Sequence, residues 1–350
     1  MRRFLSLMES RGFDGYLVAE MKNMLYFTGF SGGSVLLVSR NAGSTLFVYG
    51  VNYEAAKVKT REASVELVKP EEDLIKIIVE RLKDLKIRNV GFDSLKASTY
   101  LKLKESSNEI TFKDAGDIVW TLRKVKDHSE ISLIKKAAEL TSLGIKKAAE
   151  IIDAGLSERE VAAEIEYEMR KAGSDGVAFD TIVSSGLNSA FPHGGCGDRV
   201  IEKSDLVVID VGAKYRDYCS DLTRTFIIGK PSSKQFQIYE TVRKAQELAV
   251  EKAKAEIKAR EVDRVARDYI SKAGYGEYFV HSLGHGVGLD IHELPTLSPK
   301  SKEILMEGNV VTIEPGIYIP GFGGVRIEDT VLILKDGAEK LTEAPTGMAF

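Results

Sequence analysis

The sequence predicts an α/β N-terminal domain followed by an α+β C-terminal domain built on a curved antiparallel sheet. The chain has 350 residues, more than the ~100–200 residues of a typical domain. Short apolar runs alternate with amphipathic stretches up to residue 122, whereas helices and strands are grouped after residue 128. Four of the five histidines and seven of the eight prolines lie beyond position 190. We therefore predict domains at 1–122 and 128–350 and expect the chemistry in the second.

The first domain is predicted to alternate strands with helices. Short apolar and alternating runs predict strands at 17–18, 34–39, 44–50, 65–68, 89–93 and 109–112. Amphipathic periodicity predicts helices at 52–62, 71–85 and 96–105. The glycine-rich segment at 29–33 does not follow a strand and open a helix, as a phosphate-binding loop requires, so we interpret it as a turn.

The second domain is predicted to begin with two helices. Ser129 opens an apolar periodic stretch that reaches Asp153. Ser157 and Glu160 form a capping box for a helix that continues through Lys171. Further helices are predicted at 232–258 and 262–272, and strands at 206–213, 221–228, 278–289, 310–318 and 324–334. Such separate groups of helices and strands are typical of an α+β domain.

The composition excludes several classes of partner. With 49 basic and 52 acidic residues, the chain lacks the positive charge of a nucleic-acid-binding protein. No apolar run approaches the ~18 residues of a membrane span, and Glu9 comes too early for a signal peptide. Only two cysteines are present, Cys196 and Cys219, which favours a reducing compartment. We therefore expect a cytoplasmic protein that binds neither nucleic acid nor membranes.

Two segments of the second domain resemble each other. In each, an apolar strand ends in an acidic residue with glycine two positions later, and a returning strand offers a second acidic residue with threonine two positions later. The first copy contains Asp210 and Asp221, and the second contains Glu314 and Glu328. A buried carboxylate without a partner is very costly, so matched pairs within apolar strands favour a site. We infer an internal pseudo-twofold axis with the four carboxylates near it.

Divalent metal ions are natural partners for these carboxylates. The charge of four carboxylates would be neutralised by two divalent cations, and Arg326 is a further partner on the same strand face as Glu328. His285, which shares a predicted strand face with His281, supplies a nitrogen ligand. An oxygen-rich site with one imidazole suits Mn²⁺ or Co²⁺, while zinc and iron stay open as alternatives. Two ions about 3.5–4 Å apart are typical of dinuclear hydrolases.

These residues stand in motifs that resemble those of the pita-bread metallopeptidases, which include methionine aminopeptidases, aminopeptidase P and prolidase (peptidase family M24). The resemblance is close over residues 128–350, and the first ~125 residues resemble the smaller creatinase-like N-terminal domain of prolidase and aminopeptidase P. Four segments carry it in combination: Phe191-Pro192-His193-Gly194, His281 to Leu289, Ile313-Glu314-Pro315-Gly316 and Val325 to Asp329. The resemblance implies a pita-bread fold and five metal ligands, Asp210, Asp221, His285, Glu314 and Glu328.

The resemblance also implies roles for residues around the metals. Glu314 would be a ligand and the general base. His292 would donate to the developing oxyanion, and His193 would orient the substrate or shuttle a proton. His281 would line the substrate pocket, although a purely structural role stays open for His193 and His281. Arg326, which we also place among the substrate-binding residues, would hold a ligand carboxylate by bidentate hydrogen bonds.

The N-terminal domain and Arg326 together make the chain similar to the Xaa-Pro group, since methionine aminopeptidases usually lack both. We expect small peptide substrates with proline at the second position, with Xaa-Pro dipeptidase (prolidase) activity favoured. Thr296 stands where several prolidases carry an arginine for the dipeptide carboxylate, so aminopeptidase P activity on longer peptides is the alternative. A non-enzymatic binding protein is a remote alternative, because all five ligands are present. The group is commonly dimeric, so we expect a homodimer.

Overall fold

A computed structural model describes residues 1–345. The chain forms two compact units, of which the first comprises Met1–Arg123 and the second begins at Lys124. Each unit has its own buried apolar core. Among the described residues, none of the helices combines the length and the apolar character needed to cross a membrane.

The first unit is a six-stranded sheet flanked by helices. Its elements in chain order are α1 (Arg2–Ser10), β1 (Gly15–Val18), α2 (Met21–Thr28), β2 (Val35–Ser39), β3 (Gly43–Tyr49), α3 (Gly50–Lys59), β4 (Ser64–Val68), α4 (Leu74–Asp84), β5 (Asn89–Phe92), α5 (Ala97–Ser106), β6 (Thr111–Asp114) and α6 (Gly116–Arg123). The strand order is β4-β3-β2-β1-β5-β6. Only β2 runs antiparallel to its neighbours in this sheet. The predicted α/β class is confirmed, and each predicted strand end lies within two residues of an observed one.

The central strands of the first unit are buried on both faces. Tyr16 and Val18 of β1 pack into one apolar cluster, whereas Leu17 between them packs into another with Phe47. Successive side chains of a strand point to opposite faces, so these strands need apolar residues at consecutive positions. This requirement explains why the strands appear in the sequence as short continuous apolar runs.

The second unit places helices beside antiparallel strands. Its elements are α7 (His128–Ile151), α8 (Glu158–Lys171), β7 (Gly176–Val177), β8 (Ile182–Ser185), a 3₁₀ helix (Gly186–Ala190), β9 (Leu206–Val211), β10 (Ala213–Tyr215), β11 (Tyr218–Cys219), β12 (Leu222–Ile227), α9 (Ser233–Lys252), α10 (Ala259–Lys272), a 3₁₀ helix (Gly276–Tyr278), β13 (Gly284–Gly286), β14 (Glu293–Leu297), β15 (Val310–Ile313), β16 (Gly316–Ile319), β17 (Gly323–Arg326), β18 (Asp329–Ile333) and β19 (Ala338–Lys340). The strand orders are β12-β9-β8, β11-β10-β7, β14-β13-β15-β18-β19 and β16-β17. Every pair between these strands is antiparallel.

Side-chain caps define where the long helices begin. Asp127 caps α7 in a capping box with Glu130, two residues before the start that we expected at Ser129. Ser157 and Glu160 form the predicted capping box of α8, which ends at Lys171 as expected. Each cap satisfies backbone N–H groups that have no partner within the helix.

The segment 278–289 is not the long strand that its sequence predicts. Only Gly284–Gly286 pair as a strand. A Cβ atom on Gly284 would come within 2.0 Å of the carbonyl oxygen of Thr312, so glycine here permits a close approach of two backbones. The expectation that His281 and His285 share a strand face is therefore wrong, because His281 lies outside the strand.

Candidate metal centre

The four acidic residues lie where the strands of two hairpins begin or end. Asp210 lies near the end of β9, and Asp221 directly precedes its partner β12. Glu314 directly follows β15, and Glu328 directly precedes its partner β18. The pairing of β15 ends at Ile313, and Pro315, which cannot donate to a strand ladder, keeps it from continuing past Glu314. The carboxylates thus lie where the chain leaves or enters a strand.

The two hairpins differ in register. Thr223, two residues after Asp221, lies opposite Asp210. Its counterpart Thr330, two residues after Glu328, lies opposite Thr312 and not opposite Glu314. The sequence repeat is therefore reproduced in topology, with a shift of two residues in the pairing.

The candidate ligands lie close together. One ligand atom from each of Asp221, His285 and Glu328 lies within 4.8 Å of the others. Glu314 adjoins this group, since its Oε1 lies 3.3 Å from Nε2 of His285. After burial, the negative charge of Asp210 contributes to the raised pKa of Asp221, Glu314 and Glu328, so Asp210 belongs to the same cluster. All five predicted ligands are thus brought together.

His285 is oriented to act as a metal ligand. Its Nδ1 lies 3.0 Å from the carbonyl oxygen of Gly286. A carbonyl only accepts, so Nδ1 carries the hydrogen and the free Nε2 faces Asp221 and Glu314 at 3.6 and 3.3 Å. Burial, aided by the nearby His292, lowers the pKa of His285 to about 4. The imidazole is therefore neutral near pH 7, as metal binding requires.

Burial raises the pKa of three of the four carboxyl groups. The pKa of Glu314 rises to about 8, mainly through burial. Burial also raises the pKa of Asp221 and Glu328 well above the ordinary values, and neighbouring carboxylates add to the effect. Carboxylates packed this closely cannot all ionise unless positive charge is supplied.

Two buried carboxylate oxygens in this cluster have no hydrogen-bond partner among the described residues. They are Oδ1 of Asp210 and Oδ1 of Asp221. A buried oxygen without a partner is costly, and a cation would satisfy both atoms. The donor set of four carboxylates and one neutral imidazole therefore fits divalent metal ions.

Arg326 holds carboxylates from both hairpins. Its Nη2 donates to Oδ2 of Asp210 at 2.5 Å. Its Nε donates to Oγ1 of Thr223 at 3.0 Å, and that hydroxyl donates to Oε2 of Glu328 at 2.6 Å. Its Nη1 donates to the phenol of Tyr318 at 2.8 Å. Arg326 and Asp210 share one hydrogen bond among the described residues, and not the two of the expected bidentate pair. Because every nitrogen of the guanidinium already donates to a protein group, the geometry favours a role in orienting Asp210 over contact with the substrate.

Tyr318 links Arg326 to His281, a role that sequence reasoning missed. Nδ1 of His281 lies 2.8 Å from the carbonyl oxygen of Ser282, so it carries the hydrogen. Nε2 of His281 therefore accepts from the Tyr318 phenol at 3.0 Å. Gly316 leaves room for this side chain, because a Cβ at that position would come within 2.6 Å of the phenol oxygen. Burial, followed by the charge of Arg326, lowers the pKa of His281 to about 4.

His292 and His193 are the solvent-exposed histidines of this region. The ring centroids of His292 and His285 lie 4.2 Å apart. Burial and then the charge of His193 lower the pKa of His292, and His193 also contributes to the lowered pKa of His281. Four of the five histidines of the second unit, His193, His281, His285 and His292, therefore lie near the carboxylate cluster.

Comparison with known families identifies the chain. The family model described as metallopeptidase family M24 matches residues 132–335, which is more than half of the sequence. The chain belongs to metallopeptidase family M24. A second model, the creatinase/prolidase N-terminal domain, matches residues 1–125 of the M24 peptidase. The resemblance to the pita-bread metallopeptidases, and the fold it implies, are confirmed.

Relatives of the M24 peptidase extend over nearly its whole length. An Xaa-Pro dipeptidase from Pyrococcus horikoshii is 45% identical over 98% of this chain and 96% of its own. The structure of an Xaa-Pro dipeptidase from Bacillus anthracis has a TM-score of 0.94 at 40% identity and covers 99% of this chain and 98% of its own. An X-Pro aminopeptidase structure from Thermotoga maritima has a TM-score of 0.89 at 39% identity, covering 96% and 97%. As a metallopeptidase, the chain is an enzyme that uses divalent metal ions, and the non-enzymatic alternative is set aside.

Proposed function

We propose that this M24 peptidase is an Xaa-Pro dipeptidase (prolidase), which hydrolyses the peptide bond before proline in small peptides. The 45% identity to the Pyrococcus horikoshii Xaa-Pro dipeptidase, over 98% of the chain, carries the proposal. The cluster of four carboxylates and one neutral imidazole supports it, because every residue needed to hold two metal ions is present.

Two divalent metal ions, Mn²⁺ or Co²⁺, are proposed as cofactors, with zinc and iron as alternatives. The oxygen-rich donor set supports this choice. The proposed ligands are Asp210, Asp221, His285, Glu314 and Glu328. Bound there, the ions would lower the pKa of a water molecule and polarise the scissile carbonyl group.

Glu314 is proposed as the general base. The hydroxyl of Thr312 donates to its Oε1 at 3.1 Å and so orients the carboxylate. The same Oε1 lies 3.3 Å from Nε2 of His285, inside the proposed ligand cluster, where a carboxylate can accept a proton. Glu314 would take a proton from the attacking water and deliver it to the leaving nitrogen of proline.

The surrounding histidines are proposed to act on the substrate. His292 would donate to the developing oxyanion, which its position beside the ring of His285 supports. His193, exposed to solvent, would orient the substrate or carry a proton. His281 would border the pocket with its ring, since both of its nitrogens face protein groups. Arg326 would keep Asp210 in place for metal binding.

An Xaa-Pro aminopeptidase acting on longer peptides is the second candidate. Thr296, half-buried on β14, stands where several prolidases are expected to carry an arginine for the substrate carboxylate. Without that arginine, the enzyme lacks one group that would bind the C-terminal carboxylate of an Xaa-Pro dipeptide. Longer peptides lack a carboxylate at this position, so they would lose nothing.

A substrate panel tests the proposal. The protein, loaded with Mn²⁺ or Co²⁺, is incubated with Ala-Pro, Ala-Pro-Ala and Met-Ala-Ala. We expect cleavage of Ala-Pro at the highest kcat/KM. Preference for Ala-Pro-Ala would favour the aminopeptidase, and cleavage of Met-Ala-Ala alone would contradict both proposals.

The assembly, the location and the domain roles are also proposals. We propose a homodimer, as is common in the Xaa-Pro group, and a strictly monomeric mass in light scattering would contradict it. A cytoplasmic location is supported by the two free cysteines. We assign catalysis to residues 128–350 and an accessory role to residues 1–122.

A further inference from the structure

Residues 186–197, between β8 and β9, form the loop that carries His193. Its two large apolar side chains, Leu187 and Phe191, are 59% and 63% exposed, whereas the chain that follows it is anchored by the buried Ile201. Within the loop, Ser189 is buried, and its hydroxyl accepts from the backbone N–H of Gly324 at 2.9 Å. Polar contacts therefore fix the position of this loop and of His193.

Both ends of this loop meet at one buried carboxylate. Glu158, the first residue of α8, is 2% exposed. Its Oε1 accepts from the backbone N–H and the hydroxyl of Ser185, both at 2.7 Å. Its Oε2 accepts from the backbone N–H of Gly197 at 3.0 Å. Ser185 ends β8 just before the loop, and Gly197 lies on the returning chain, so this side chain joins both ends of the loop, beside the hydrogen bonds that Val183 and Ser184 make to the carbonyl oxygen of Gly195.

The closing point is tied to the strand that carries Asp210. Nη1 of Arg199 donates to the hydroxyl of Ser185 at 2.5 Å. The same guanidinium pairs with Asp205 through both terminal nitrogens, at 2.5 and 3.1 Å. Asp205 directly precedes β9. A displacement at Glu158 would therefore move the loop relative to the metal centre.

We infer that Glu158 is a positioning residue, which holds closed the loop that places His193 at the metal centre. The inference rests on the proposed function, in which His193 acts on the substrate. The position requires a carboxylate, because all three groups that face its oxygens are donors. A glutamine amide would set an N–H group against the N–H of Ser185 or Gly197 and release one end of the loop.

Kinetics of the Mn²⁺-loaded enzyme on Ala-Pro test this inference. We expect Glu158→Gln to lower kcat on the order of 10- to 100-fold, since small misplacements of active-site groups have effects of this size. Glu158→Gln and His193→Ala should change kcat and KM in the same proportion. The double variant should be no slower than His193→Ala alone, because both changes act through one group. Glu164→Gln, at an exposed glutamate of the same helix, is the matched control and should keep wild-type activity.

Hydrogen exchange provides a readout that needs no activity. In Glu158→Gln, amides of residues 185–197 should exchange about tenfold faster or more, because the loss of a buried hydrogen bond makes local opening of the loop more favourable. Ser185→Ala should give a smaller increase in the same segment, and the amides of β9 should keep wild-type rates. Unchanged exchange at 185–197, exchange raised throughout the second unit, or multiplicative losses in the double variant would overturn the inference. Failure of the wild type to cleave Ala-Pro would overturn the proposed function, whereas exchange still decides whether Glu158 closes the loop.

Discussion

Asp210 and Asp221 each keep one buried oxygen that the described protein groups do not satisfy. Arg326 supplies a single positive charge to a cluster that holds four carboxyl groups. Burial raises the pKa of Asp221 and Glu328, and repulsion from the neighbouring carboxylates, which one arginine does not neutralise, raises it further. At the scale of the residue, the site is therefore built to favour cations and to hold protons when cations are missing.

Replacement of the proposed general base is the most direct residue-scale prediction. Glu314→Gln should lower kcat on Ala-Pro by about 10²–10⁴-fold, because the amide cannot take a proton from water. The exposed Glu307, a few residues before Glu314, provides the control Glu307→Gln. Steady-state kinetics and metal content per chain are measured together. Wild-type kcat in Glu314→Gln would show that another group is the base.

Metal binding should depend on pH through the same carboxyl groups. Glu314 has a pKa of about 8 in the folded protein against 4.5 ordinarily, so between these values the metal-free folded state holds a proton that the unfolded chain has lost. The free energy of unfolding of the metal-free protein should therefore fall as pH rises through this window. Mn²⁺ displaces the proton, so its affinity should rise over the same interval. Calorimetry in buffers of different ionisation heat measures the released protons, and an affinity independent of pH would contradict the prediction.

At the scale of the element, a buried ion pair holds the turn that carries His292. Nζ of Lys126 lies 3.2 Å from Oε2 of Glu293, and both side chains are 1% exposed. Oε1 of Glu293 accepts from the backbone N–H of Asp290 at 3.0 Å. The pair therefore ties the start of the second unit to the chain between β13 and β14.

Breaking this pair should be costly. Lys126→Met should lower the free energy of unfolding by about 3–5 kcal/mol, because a buried carboxylate loses its cation. Lys124→Met is the matched control, since Lys124 and its partner Glu303 are 19% and 31% exposed, and it should cost about 1 kcal/mol or less. Urea unfolding followed by circular dichroism measures both variants. Equal losses would show that burial of the pair has no special effect.

The elements also show what the sequence could and could not predict. The strands that carry Asp210 and Glu314 were predicted because apolar runs are a local property of the chain. The break of the strand beside Pro315 was missed although the missing N–H of proline is a local signal, whereas the short strand at Gly284 was missed because it depends on which backbone lies opposite. The role of Tyr318 was missed for a similar reason, since its partners Arg326 and His281 meet it only in the folded chain.

At the scale of the whole molecule, metal ions should stabilise the fold. A ligand that binds only the folded state stabilises it by about 2.7 kcal/mol at a concentration of 100 times its Kd. Mn²⁺ should therefore raise the thermal midpoint, and a chelator should reverse the effect. Calorimetric scans with Mn²⁺, with Mg²⁺ and with chelator make the comparison. A midpoint that does not respond to Mn²⁺ would contradict the presence of a metal centre.

The division of the cluster between two hairpins has a consequence for protein synthesis. Asp210 and Asp221 leave the ribosome early, whereas Glu328 follows Asp210 by 118 positions (328 − 210), with α9 and α10 made in between. Domains fold as units while the chain is made. A nascent chain that ends before Glu328 lacks one of the five clustered groups, however well its first hairpin has folded. The complete cluster, and the metal binding that depends on it, is therefore expected only after residue 328 has been made.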